Sequence, residues 1–173
     1  MNEKKEHIEI SRPDWHSFFL WEAAYWASRS HDSQTQFGCV FVKNNVPISH
    51  GYNGFIRGIN DTVLPNTRPK KYQFMIHCEQ NAICNAASRG ISCDGATAYV
   101  SGRSCLTCLQ LMWQAGIKDI IYTDFQTPQM IENQEYLDNW NLLVSLMPGL
   151  NVTHIPKECL YTAHIVGIGL KNV

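Results

Sequence analysis

Two short segments, His77-Cys78-Glu79 and Cys105-Leu106-Thr107-Cys108, constrain what this chain can fold into more than any other feature. One imidazole and two thiolates are three of the four ligands of a tetrahedral zinc ion. A fourth position left to water makes such a site catalytic rather than structural. Cys105 and Cys108 are three apart, so at a helix start they share one face and can chelate one ion. The helix N-terminus also lowers thiol pKa towards the thiolate that metal binding needs. His77 and Glu79 are two apart and would diverge in mid-helix; they converge only at a helix entry. The chain must therefore bring two helix starts together at the carboxyl edge of a sheet, where open α/β sheets bind ligands.

The rest of the chain reads in agreement. Ser11-Arg12-Pro13-Asp14 predicts a helix start, with Ser11 as the cap and proline in the first turn. The helix is expected to run to about Ser30, with Trp15, Phe18, Phe19, Ala23 and Trp26 as its apolar stripe, facing the core or a subunit interface. Gly38 to Val42 reads as a buried strand, Asn44-Asn45 as a turn, and Val46 to Tyr52 as the returning strand of a hairpin. Glycines and prolines break all periodicity over 53–76, a long loop of the kind that is functional or disordered. A helix from His77 to Ser88 ends at Gly90. A strand from Ala96 to Val100, a helix from Cys105 to Gln114 and a strand from Lys118 to Tyr122 follow. Pro128 to Met147 reads as a longer helix and Val152 to Ile155 as a last strand. Right-handed crossovers then give an α/β fold, a mixed sheet with helices on both faces. Residues 1–12 are expected to be a leader and 13–173 a single domain with an insertion loop at about 54–76.

Composition narrows the setting. The polar N-terminus has no apolar stretch resembling a secretory signal, and no run of 18 apolar residues is present, so no membrane association is expected. Seven irregularly spaced cysteines suit reduced thiols in the cytoplasm better than a disulfide framework. A net charge of −1 lacks the global basic balance usual for nucleic-acid binding.

Glu79 is most simply a general acid/base beside the metal rather than a ligand. A closed structural site would need a fourth ligand, from Cys78 or Cys84, but Cys78 should point away from His77 and Cys84 lies further down the helix. The ligand count and the carboxylate favour the open, catalytic arrangement.

His77-Cys-Glu79 with Ser104-Cys105-Leu-Thr-Cys108 resembles the zinc-dependent cytidine/deoxycytidylate deaminase superfamily. The family writes its second motif with proline where Ser104 stands, a position that stiffens the turn and binds no metal. Val40 to Asn45, Gly51-Tyr-Asn53-Gly54, Gly58, Asp61, Val63-Leu-Pro65, His77 to Ile83 and Ala115-Gly-Ile-Lys118 are similar to the deoxycytidylate (dCMP) deaminases of phages and eukaryotes. Relatives often have proline in place of Ile56. The resemblance implies a three-layer α/β/α fold of the cytidine-deaminase type with a mixed five-stranded sheet. It also implies hydrolysis of dCMP to dUMP and ammonia for thymidylate nucleotide synthesis, in the cytoplasm (the host's, for a phage product). His77, Cys105 and Cys108 would hold Zn²⁺, and Glu79 would protonate N3 and then the departing amine. Asn53 would hold the deoxyribose, the Cys78 N–H the base carbonyl, and carbonyls near Gly102 to Ser104 the amine. The family is often a homohexamer, activated by dCTP and inhibited by dTTP, with Mg²⁺ on the triphosphate. The effector position maps to Asn53, Gly54, Gly58 and Asp61, although the glycines read equally as turn residues. For the substrate phosphate, Arg57, Arg68, Lys70, Lys71 and Arg103 are candidates, Arg103 the nearest in sequence to the zinc ligands. Tyr122 would stack on the base or be buried. Three other readings compete. A tRNA or polynucleotide deaminase needs a basic face, a free cytidine deaminase lacks cations for a phosphate, and a non-enzymatic zinc protein would lose nothing when Glu79 becomes Gln.

Overall fold

The computed structural model describes residues 12–126 and 133–161. Residues 1–11 of the expected leader, with the Ser11 cap, residues 127–132 at the expected start of the last helix, and residues 162–173 lie outside the described residues.

The first helix, α1, spans Trp15–Ala27 and is capped by Asp14, whose carboxylate accepts from Ser17 N at 2.9 Å and Ser17 Oγ at 2.7 Å. The start thus falls later than the Ser11 reading. Aspartate caps as well as serine, and the residue before a proline is pushed out of helical geometry, so the helix begins beyond Pro13. Its buried face is Phe19, Leu20, Ala23 and Ala27, whereas Trp15 (54% exposed) and Phe18 (46% exposed) stay outside the core. Of the expected stripe, Phe19 and Ala23 face the core, while Trp15 stacks on Phe19 at 5.4 Å rather than on the sheet.

Strands β1 (Gly38–Lys43) and β2 (Val46–Tyr52) form the expected hairpin. Asn44 and Asn45 have φ of 53° and 59°, the left-handed pair that a two-residue hairpin turn demands. Helix α2 (Cys78–Ala87), strand β3 (Thr97–Val100), helix α3 (Leu106–Gln114), strand β4 (Asp119–Tyr122), helix α4 (Gln134–Leu146) and strand β5 (Asn151–His154) complete the order. Each lies within a residue or two of the sequence reading, apart from the start of α4. The 54–76 loop contains one short 3-10 turn at Lys70–Gln73.

The sheet order is β2-β1-β3-β4-β5, with β1 antiparallel to both neighbours and β3, β4 and β5 parallel. Alternation along the strands sends side chains to two cores. Cys39, Phe41, Ala98, Val100 and Ile120 meet residues of α2, α3 and α4, while Val40, Val42, Tyr99 and Ile121 meet Phe19, Leu20 and Ala23 of α1. Strands buried on both faces read as continuous apolar runs, as Gly38-Cys-Val-Phe-Val does. The result is a three-layer α/β/α sandwich, and α2 and α3 start side by side at the edge formed by the carboxyl ends of β2 and β3 and the amino end of β1.

Candidate metal centre and substrate cleft

His77 and Cys105 are the N-cap residues of α2 and α3, both with extended backbones (ψ 157° and 166°). This resolves the two-residue spacing, because the histidine stands outside helical geometry and can turn towards the same point as Glu79. The His77 N–H donates to Gln80 Oε1 at 2.9 Å, fixing the entry. Just before it, Gly54 and Ile76 pair through two backbone hydrogen bonds of 3.1 and 2.8 Å, which closes the long loop and delivers His77 to its place. Behind the helix, Gly51 of β2 touches α2 so closely that a Cβ there would lie 2.2 Å from the Cys78 carbonyl oxygen.

His77 Nδ1 lies 3.4 Å from Cys105 Sγ and 3.5 Å from Cys108 Sγ, and the three donor atoms fall within 4.8 Å of one another. Ordinary Zn–N and Zn–S bonds in tetrahedral geometry put nitrogen and sulfur donors about 3.6 Å apart, so the donor set fits zinc without rearrangement. The electrostatics point the same way. The Cys105 thiol is lowered to about 5, first by a hydrogen bond from the Cys108 thiol and then, against burial, by His77. Cys108 is raised in turn, by that same bond and by burial. His77 is raised by its bond to Cys105, with burial opposing and Glu79 reinforcing. The two thiols are thus coupled to each other and to His77, and a cation bound by them would displace their protons.

Glu79 is 4% exposed and is not part of the three-donor cluster; its Oε2 accepts from the Cys78 thiol at 3.2 Å. Burial, with the Glu79 charge adding, raises the Cys78 thiol well above its ordinary range, so Cys78 stays a neutral donor. Both face an open cleft lined also by Asp32, Thr35, Phe37, Asn53, Arg68, Lys71, Tyr72, Met75, Gly102, Arg103, Ser104 and Tyr136.

The other expected site residues are placed unequally. Asn53 lines the cleft, but its amide is committed to Phe37 N (2.7 Å), Thr35 O (2.8 Å) and Asp32 Oδ2 (3.3 Å). Ser104 lines it too; its carbonyl accepts from Trp140 Nε1 at 3.0 Å, and its buried hydroxyl has no partner among the described residues. Arg103 is held by the Tyr122 hydroxyl at 3.1 Å and lies 4.9 Å from the Trp140 ring centre. Tyr122 is buried, stacked on His154 at 4.9 Å, and is not among the lining residues. Gly54, Gly58 and Asp61 also lie outside the lining. Gly58 has a φ of +89°, and Asp61 meets His31 Nδ1 at 3.3 Å.

Asp32, Thr35 and Tyr136 went unnoticed in the sequence. Asp32 is the most consequential: its carboxylate takes Lys71 Nζ at 2.6 and 2.8 Å, with both side chains almost fully buried in the cleft wall. Asp32 lies in a loop and Lys71 in a single short 3-10 turn, so no repeating pattern pairs them.

Comparison with known proteins adds a family to this geometry. Residues 13–124 match the model of the cytidine and deoxycytidylate deaminase zinc-binding region. Deoxycytidylate deaminases of Homo sapiens and Mus musculus are 36% and 35% identical over 116 residues, covering 63% of this chain and 64% of theirs. The match therefore spans just under two thirds of those relatives' length. A protein of Aliivibrio fischeri, described as an uncharacterized deaminase in the luxG 3' region, is 30% identical over 84% of this chain and 97% of its own. Two crystal structures of the dCMP deaminase of cyanophage S-TIM5 superpose on 84% of this chain and 100% of theirs. The apo form has a TM-score of 0.62 at 24% identity, and the complex with dCMP and dUMP 0.64 at 23%. At that identity the likeness establishes the fold.

Proposed function

The chain belongs to the cytidine and deoxycytidylate deaminase family, and on that premise we propose that it hydrolyses dCMP to dUMP and ammonia. The observation that carries this reading is the three-donor cluster at 3.4 and 3.5 Å with the buried Glu79 carboxylate beside it in one cleft. The human, mouse and cyanophage relatives named above support the choice of dCMP among cytosine compounds.

His77, Cys105 and Cys108 would hold zinc, which when bound supplies Lewis-acid activation of water at neutral pH. Glu79 accepts a proton from the attacking water, passes it to N3 of the cytosine, and later delivers a proton to the departing amino nitrogen. The balance is one water consumed and one ammonia released. Burial of Glu79 keeps bulk water from competing for that proton. Cys78, first residue of α2, has a backbone N–H without an intrahelical partner and suits the base carbonyl. Regulation by dCTP and dTTP, with Mg²⁺ on the effector, fits this reading if the loop carrying Gly54, Gly58 and Asp61 forms a second site outside the cleft. The exposed Trp15, Phe18 and Tyr25 of α1 suit burial between subunits of a homohexamer.

Ammonia release from deoxycytidine, dCMP, dCTP and a short single-stranded oligonucleotide tests the assignment. Preference for dCMP is expected. Equal rates on nucleoside and nucleotide would sink it, and preference for the oligonucleotide would move the protein to the polynucleotide deaminases.

A further inference from the structure

Besides His77, the basic side chains among the cleft-lining residues are Arg68, Lys71 and Arg103. Lys71 is neutralised by Asp32, both of whose oxygens it contacts at 2.6 and 2.8 Å. The Asp32 carboxylate is itself saturated: it also accepts from the backbone N–H groups of Gln34 and Thr35 at 2.9 and 3.1 Å and from Asn53 Nδ2 at 3.3 Å. That pair therefore neither attracts nor repels an anion strongly. Arg103 is engaged by the Tyr122 hydroxyl at 3.1 Å and lies against the Trp140 ring. Of the remaining cations suggested by the sequence, Arg57 is bound to Asn85 at 2.6 Å, and neither it nor Lys70 lines the cleft.

Arg68 differs from all of these. Its backbone N–H donates to Gln34 Oε1 at 2.7 Å and its Nη2 donates to Thr35 Oγ1, so the side chain is held in place from the 31–37 segment. Its Nε is buried and has no hydrogen-bond partner among the described residues. A buried guanidinium N–H without an acceptor is costly, and such groups in native proteins usually await a ligand or water. Nε and Nη2 form one edge of the guanidinium, the edge that pairs bidentately with phosphate oxygens. The metal donors reach the cleft from the starts of α2 and α3, and Arg68 reaches it from the 54–76 loop.

We propose that the Nε/Nη2 edge of Arg68, braced by Thr35, is the subsite for the phosphate monoester of the substrate. The proposal rests on the nucleotide reading above and names the residue that separates nucleotide from nucleoside there. It is tested by the ratio of kcat/KM for dCMP to kcat/KM for deoxycytidine in the full-length, metal-loaded protein. Arg68→Met should lower that ratio about 10- to 150-fold, the worth of a hydrogen bond to a charged group, and the loss should lie in KM for dCMP rather than kcat. Arg68→Lys, which keeps the charge but not the fork, should fall between Met and wild type and serves if the Met variant does not fold. Arg57→Ala should leave the ratio within about twofold of wild type, since it is outside the cleft. A ratio unchanged in Arg68→Met, or an equal loss on both substrates, overturns the proposal. A wild-type protein that does not prefer dCMP over deoxycytidine overturns the nucleotide reading instead, so the two failures are distinct.

Discussion

Replacing Gly51 with alanine adds one methyl group at the seam between β2 and α2, and it tests whether the sheet sets the position of the metal-binding helix. The new Cβ would stand 2.2 Å from the Cys78 carbonyl oxygen, 2.6 Å from Ala82 N and 3.0 Å from Asn81 Cβ. The first two contacts are with backbone, which cannot swing aside, so α2 must retreat by about 1 Å to restore van der Waals distance. Three hydrogen bonds resist that retreat: Ser49 Oγ to Ala82 O (2.7 Å), Asn81 Nδ2 to Tyr52 O (2.7 Å) and Asn85 Nδ2 to His50 O (2.8 Å). Overpacking of this kind costs about 1–3 kcal/mol. In a chain of this size that is about 2–12 °C in Tm. Because α2 carries Cys78 and Glu79 and is entered at His77, a shift of about 1 Å should also cost about 100-fold in turnover. Gly90 supplies the control. Its φ is +66° and a Cβ there meets nothing within 4 Å, so Gly90→Ala should cost about 1–2 kcal/mol from backbone conformation alone and leave turnover intact. Thermal melts and dCMP kinetics on both variants decide the matter. Full activity and a melt within about 1 °C of wild type for Gly51→Ala would refute the argument.

Two further outcomes follow from the cleft. Glu79→Gln should lower turnover by about 10²- to 10⁴-fold, the usual worth of a positioned acid/base, while metal content stays near one ion per chain; loss of the metal would show that Glu79 is a ligand. Lys71→Met strands the Asp32 carboxylate in the cleft wall and should cost about 3–5 kcal/mol in urea denaturation, with Lys71→Met/Asp32→Asn recovering much of it; equal stability of single and double variants would contradict the coupling.

Much of the architecture was legible because local signals agreed. Asn44-Asn45 punctuates the hairpin, and both asparagines adopt the left-handed conformation that such a turn requires. The apolar run from Gly38 continues without a polar interruption because both faces of β1 are buried. The α1 boundary was misread where two good caps, Ser11 and Asp14, stand three residues apart and Pro13 decides between them. Hydrophobicity alone leaves Trp15 and Phe18 between core and subunit interface, and the sheet has room only for the Phe19, Leu20, Ala23 face.

The sequence by itself determined which side chains could converge. The residue types at 77, 79, 105 and 108 and their spacing fit a three-donor cluster with a carboxylate beside it at two helix entries, because only that local geometry lets them meet. Tertiary structure alone decided how the cleft around them is charged. Asp32 and Lys71 come from different segments and cancel one another, Arg103 and Tyr122 engage each other, and Arg68 keeps a buried N–H that no described residue answers. Such pairings arise from through-space contact between aperiodic segments, so no spacing along the chain encodes them.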